Sequence, residues 1–133
     1  MEFVSWKSCY CVGDPTIDYQ HRRLVALLNL LHDKIHSKAS AILVDKALIE
    51  LINYAEEHFR DEERLMESIN YPYLAEHRAE HERLVIEVFA FKERYDKGLV
   101  SGRDLLEFLR EWLIQHILGS DLMIKHYLPR VKC

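Results

Sequence analysis

The chain has 133 residues, the length of one domain, and its 49% apolar and 30% charged residues supply both a core and a solvated surface, which excludes disordered, collagen-like and low-complexity classes. Eighteen basic against twenty-two acidic residues give a net charge of -4 with no basic run, so nucleic acid is not the expected partner. No apolar run approaches the roughly 18 residues of a membrane helix, and MEFVSWKSCY lacks the layout of a secretory signal, so no membrane insertion and a cytoplasmic location are expected.

A single domain over 1–133 is expected, opening with an N-terminal arm over 1–17 that carries Phe3, Trp6 and Tyr10 and packs along the helices. Three cysteines, Cys9, Cys11 and Cys133, are an odd number and indicate no disulfide framework; Cys9 and Cys11 read as solvent-facing or half-buried thiols. Apolar residues then recur at helical spacing in four segments. The first, about 18–37, aligns His21, Leu24, Leu28, Leu31 and Ile35. The second, about 41–68, follows Ser40 as an N-cap, stacks Leu48, Leu51, Ile52, Ala55, Phe59, Leu65 and Met66, and stops before Pro72. The third, about 74–97, aligns Leu74, Leu84, Val88, Phe91 and Tyr95 and ends at Gly98. The fourth, about 101–128, opens with Ser101 and Asp104 as a capping box and carries Leu105, Leu109, Trp112, Leu113 and Met123. Four long amphipathic helices joined by connections of a few residues predict an all-α, antiparallel up-down-up-down four-helix bundle.

Polar residues interrupt these apolar stripes. His21 begins the first; His58 and Glu62 lie four apart on the second; His77 and His81 lie four apart on the third; His116 sits on the fourth with Asp121 behind it. One such His is most simply a satisfied core residue. Seven ionisable groups are different, because in an up-down bundle the start of helix one, the end of helix two, the start of helix three and the end of helix four meet at one end. Unpaired there, they would cost several kcal/mol each, so they must neutralise one another or bind metal. The other three of the eight His serve as a control. His32 lies ~16 Å further along the first helix, His36 is its neighbour, and His126 trails the polar layer.

Five imidazoles and two carboxylates are too many for one first-row ion and suit two. If both carboxylates and a hydroxide bridge, one coordination position stays open, and an uneven split of the His places it on the ion that has two. Asp121 follows His116 by five residues, which on a regular helix turns it away from that face; with Gly119 between them, a π-type widening is expected. The absence of any Glu-x-x-His spacing disfavours the carboxylate-rich ferritin-like sites.

Trp6, Tyr10, Val12 and Gly13, then IDYQH (17–21), HFRDEE (58–63), HRAEH (77–81), HILGSD (116–121) and Tyr127 together resemble the bacterial hemerythrins over nearly the whole chain. The resemblance implies two non-haem iron ions, hydroxo- or oxo-bridged, with O2 as ligand. It implies His77, His81 and His116 on one iron, His21 and His58 on the other, and Glu62 and Asp121 bridging. It also implies that Leu24, Phe59, Trp112, Leu113 and Ile117 line the O2 pocket, where their alternative reading is plain core. Oxygen storage, delivery or scavenging without catalysis is therefore expected, with an oxygen-accepting protein as a partner. Two other readings stand beside it: an oxygen or redox sensor acting through a partner, and a zinc peptidase in which HRAEH supplies two ligands and Glu80 the general base.

Overall fold

The computed structural model describes residues 3–128, among which helices α1 (Pro15–His36), α2 (Ala41–Ser68), α3 (Leu74–Asp96) and α4 (Gly102–His116) form a four-helix bundle with no strand. α1 packs on α2 and α4, and α3 packs on the same two, so the helices close a ring around one core. Leu28, Leu31, Leu48, Leu51, Leu105 and Leu109 are fully buried there; each contributes about 1.5–3 kcal/mol by leaving water.

The helix ends follow local chemistry. α1 starts at Pro15, three residues earlier than the apolar spacing suggests, and the arm ends at Asp14 rather than at residue 17. The Asp14 side chain accepts from the Ile17 N–H, and Pro15 at the first helical position has no N–H to leave unsatisfied. Ser40 caps α2, and Ser101 with Asp104 forms the expected capping box of α4. Gly98, at φ +73°, takes the left-handed conformation that ends the α3 turn.

The fourth segment is not one helix to residue 128. α4 gives way at His116 to a π turn over Ile117–Asp121, followed by a short helix α5 (Leu122–Ile124) and a 3-10 turn over Lys125–Tyr127. The widened turn changes the helical phase of the residues after it. Met123, expected on the buried stripe, is 49% exposed, and Ile124 takes the buried position against Met66 and Tyr71. Pro129 and Cys133 lie outside the described residues.

The arm is fastened at both ends. The Val4 N–H donates to Asn29 Oδ1, and Asn29 Nδ2 donates back to the Val4 carbonyl, both at 2.8 Å. Buried Asp18 accepts from the Val12 N–H at 2.6 Å and the Gly13 N–H at 3.1 Å. Asp18→Ala leaves those donors without an acceptor, so a loss of about 1.5–3 kcal/mol is expected in urea unfolding; a change below about 0.5 kcal/mol would refute that role for Asp18. Cys9 is an exposed free thiol, but Cys11 is buried and disulfide-bonded, which corrects the expectation of two unengaged thiols.

Candidate metal centre

Each helix delivers its polar residues to the same end of the bundle. α1 supplies His21 from its second turn. α2 supplies His58 and Glu62, one turn apart, and α3 supplies His77 and His81, also one turn apart, because residues at i and i+4 share a helix face. His116 is the last residue of α4, and Asp121 closes the π turn. In a π turn residues five apart return to one side, which brings Asp121 back beside His116 and satisfies the expectation drawn from their spacing. Gly119 is not needed for space, since a Cβ there would meet nothing within 4 Å. All seven side chains are buried.

Their arrangement has two halves. Glu62 Oε1 lies 2.7 Å from His77 Nε2, 3.1 Å from His81 Nε2 and 3.6 Å from His116 Nε2. Asp121 Oδ1 lies 2.9 Å from both His77 Nε2 and His116 Nε2. The second oxygens face the other way. Glu62 Oε2 is 3.2 Å from His58 Nε2 and 3.6 Å from His21 Nε2, while Asp121 Oδ2 is 2.7 Å from His21 Nε2 and 3.5 Å from His58 Nε2. Thus one set of ligand atoms comes from Glu62, His77, His81, His116 and Asp121, and another from His21, His58, Glu62 and Asp121.

The donor set fits cations. Glu62 Oε2 and His116 Nε2 point into this cluster, are buried, and make no hydrogen bond. A lone pair on a buried atom without a proton partner is what a metal ion satisfies. Five imidazoles with two carboxylates suit two first-row ions.

Outer contacts orient several rings through Nδ1. His58 Nδ1 lies 2.8 Å from Gln20 Oε1, and Gln20 Nε2 donates to Asp61 Oδ2 at 2.7 Å, which fixes the amide with its oxygen toward the ring. His81 Nδ1 lies 2.8 Å from Glu63 Oε2, and Arg78 Nε donates to the other Glu63 oxygen at 3.1 Å. Sequence reasoning missed Gln20, Asp61 and Glu63 in these roles. The available signal was their position within IDYQH and HFRDEE, beside or one turn from a ligand-type residue.

Leu24, Phe59, Trp112, Leu113 and Ile117 are all buried in the adjoining core. Phe59 stacks on His81, with centroids 4.2 Å apart, and meets His116 edge-on at 5.0 Å. Trp112 Nε1 donates to the Leu84 carbonyl at 3.0 Å. Glu80 lies at the outer edge of the His116 ring, away from the converging ligand atoms, so it does not occupy the place a peptidase's general base requires.

Without metal, the imidazoles and carboxylates polarise one another. Burial lowers the pKa of His21 and of His77, but the Asp121 and Glu62 carboxylates outweigh it and hold both at about 9. Burial raises Glu62 and Asp121, and their mutual repulsion adds to this for Asp121; the surrounding imidazoles still hold both well below the usual carboxylate range. A metal binds neutral imidazole. Loading the metal-free chain at pH 7 should therefore release protons from His21 and His77, and apparent affinity should rise as pH goes from 7 toward 9 and level off above it. Calorimetry in buffers of different ionisation enthalpy measures this; proton release unchanged between pH 7 and 10 would contradict it.

The fold and these distances define a class of protein, a helical bundle built around a buried metal-binding cluster of five His and two carboxylates. Residues 12–128 match the sequence model of the Hemerythrin HHE cation binding domain, and the chain belongs to the hemerythrin family. It is 35% identical over 121 residues to a bacteriohemerythrin of Stenotrophomonas maltophilia, covering 91% of this chain and 78% of that one. It is 33% identical to a hemerythrin-like protein of Naegleria gruberi, over 91% and 90% of the two chains. The crystal structure of wild-type hemerythrin superposes with a TM-score of 0.82 at 28% identity, over 95% of this chain and 98% of that one. Among the described residues no helix is long and apolar enough to cross a membrane.

Proposed function

We propose that this protein binds O2 reversibly at a non-haem di-iron centre and serves in oxygen storage, delivery or scavenging, handing oxygen to an acceptor protein. The observation that carries this reading is the division of each carboxylate between two groups of His. Glu62 and Asp121 each turn one oxygen toward His77 and His116 and the other toward His21 and His58. His77, His81 and His116 would hold one iron, His21 and His58 the other, and the two carboxylates both. With only two imidazoles, that side would leave a coordination position for an exogenous ligand. Iron held by these residues would supply the redox chemistry that reversible O2 binding needs.

The chain's own contribution is to hold the imidazoles in fixed orientation and to exclude water. Gln20 and Glu63 do the first through His58 and His81. Leu24, Phe59, Trp112, Leu113 and Ile117 supply the apolar wall that does the second. Iron analysis with absorption spectra taken in the presence and absence of O2 tests the reading. Two irons per chain and visible bands that come and go with O2 support it, whereas one zinc with a featureless spectrum overturns it. Leu113→Ala should leave iron content unchanged and shorten the lifetime of the oxygenated form roughly tenfold, the rate equivalent of about 1.4 kcal/mol. Stopped-flow decay of the visible bands measures it, and an unchanged lifetime would remove Leu113 from the proposed wall.

A further inference from the structure

We propose that Glu80, gripped by Ser120 of the π turn, is a positioning residue for His116, and that the π turn therefore sets two parts of the metal centre at once. Of the rings in the centre, His58 and His81 have their outer Nδ1 atoms engaged by Gln20 and Glu63. His116 Nδ1 is buried and makes no hydrogen bond. The acceptor that the structure places beside it is Glu80 Oε1, at 3.8 Å, while the Ser120 hydroxyl donates to Glu80 Oε2.

The chemistry gives this placement a direction. A His that offers Nε2 to a metal as a neutral ring carries its proton on Nδ1, and an acceptor there fixes the ring's tautomer and tilt and raises its basicity. A separation of 3.8 Å is an ion-pair contact longer than a hydrogen bond. It is also short enough for a small rotation of the ring or the carboxylate to close it when Nε2 is drawn onto a metal. Ser120 keeps the carboxylate from swinging out toward water, since Glu80 is only partly buried. Ser120 lies one residue before Asp121 in the π turn. The same widened backbone that returns Asp121 to the cluster thus carries the group that steadies the partner of His116.

The proposal rests on the reading that the cluster holds two metal ions, and cobalt(II) binding to the metal-free chain tests the two separately. Two Co2+ per unaltered chain are expected; failure to take up two would overturn the dinuclear reading and this proposal with it. Glu80→Ala should weaken one of the two Co2+ affinities by about 10–100-fold and leave the other unchanged. It should also accelerate solvent exchange of the hyperfine-shifted Nδ1–H resonance of His116. Glu80→Gln, which keeps an acceptor oxygen, should recover part of the loss. Ser120→Ala should weaken the same site, but should add nothing in the Glu80→Ala background, because the hydroxyl acts only through the carboxylate. Two Co2+ bound with unchanged affinities and an unchanged His116 resonance in Glu80→Ala would overturn the proposal alone. So would a Ser120→Ala effect of equal size with and without Glu80. If Glu80→Ala does not fold, Ser120→Ala in the otherwise intact chain decides, through the same affinity and resonance.

Discussion

Glu62→Gln is expected to abolish paired metal binding, taking iron from the proposed two per chain to one or none. A carboxylate can turn one oxygen to each half of the cluster; an amide has a single oxygen, and its NH2 group would face imidazole nitrogens that need a cation or a proton partner. Changes to groups that only support a ligand cost about 10–100-fold in affinity, so losing a group shared by both halves should cost more than about 100-fold. The same substitution acts on the metal-free fold, because Glu62 is fully buried among His58, His77, His81 and His21. Removing its charge leaves the raised-pKa rings of His21 and His77 underpaired in a dry interior, and the expected loss of stability is about 3–5 kcal/mol. Iron quantification and urea unfolding of the metal-free protein measure the two effects. Retention of two tightly held irons in Glu62→Gln would break the bridging assignment outright.

Trp112→Ala should be the most damaging change outside the polar cluster. The indole is buried between α3 and α4, donates to the Leu84 carbonyl at 3.0 Å, and lies 6.0 Å, centroid to centroid, from Phe59. Truncation removes a large apolar side chain and leaves a cavity, and such changes cost about 3–5 kcal/mol. Trp112→Phe keeps most of the volume and loses the N–H donor, so about 1–3 kcal/mol is expected for it. Chemical unfolding of both variants separates packing from hydrogen bonding. Equal losses in the two would mean that the hydrogen bond, and not the volume, holds α3 to α4.

The bundle was legible in the chain because its helices are long, amphipathic and separated by short breaks, so periodicity alone fixed their number and order. The polar interruptions stood out for the same reason. His58 with Glu62 and His77 with His81 share the four-residue spacing of the apolar stripes they interrupt. Even the π turn left a trace, as a five-residue interval where four would have kept one face. What periodicity could not provide was anything decided by contact between helices. Gln20 reads as an ordinary polar neighbour of His21 until α2 places His58 against it, and Glu63 reads as a second acid after Glu62 until α3 brings His81 to it. Glu80 within HRAEH invited a catalytic reading for the same reason, since the motif does not say which way the start of α3 faces. Met123 was misplaced because the phase of a helix is carried forward only while the helix stays regular.

The widened turn at Ile117–Asp121 also sets what natural variation can do at this position. Wound as an ordinary α-helix, the same five residues would turn Asp121 about 140° from His116 and away from the cluster. Backbone regularity and ligand geometry therefore oppose each other over five residues. A one-residue deletion inside the turn would end that opposition, because a spacing of four returns the carboxylate to the face of His116 on a regular helix; a relative with that shorter interval should run its fourth helix unbroken past His116 and keep the cluster.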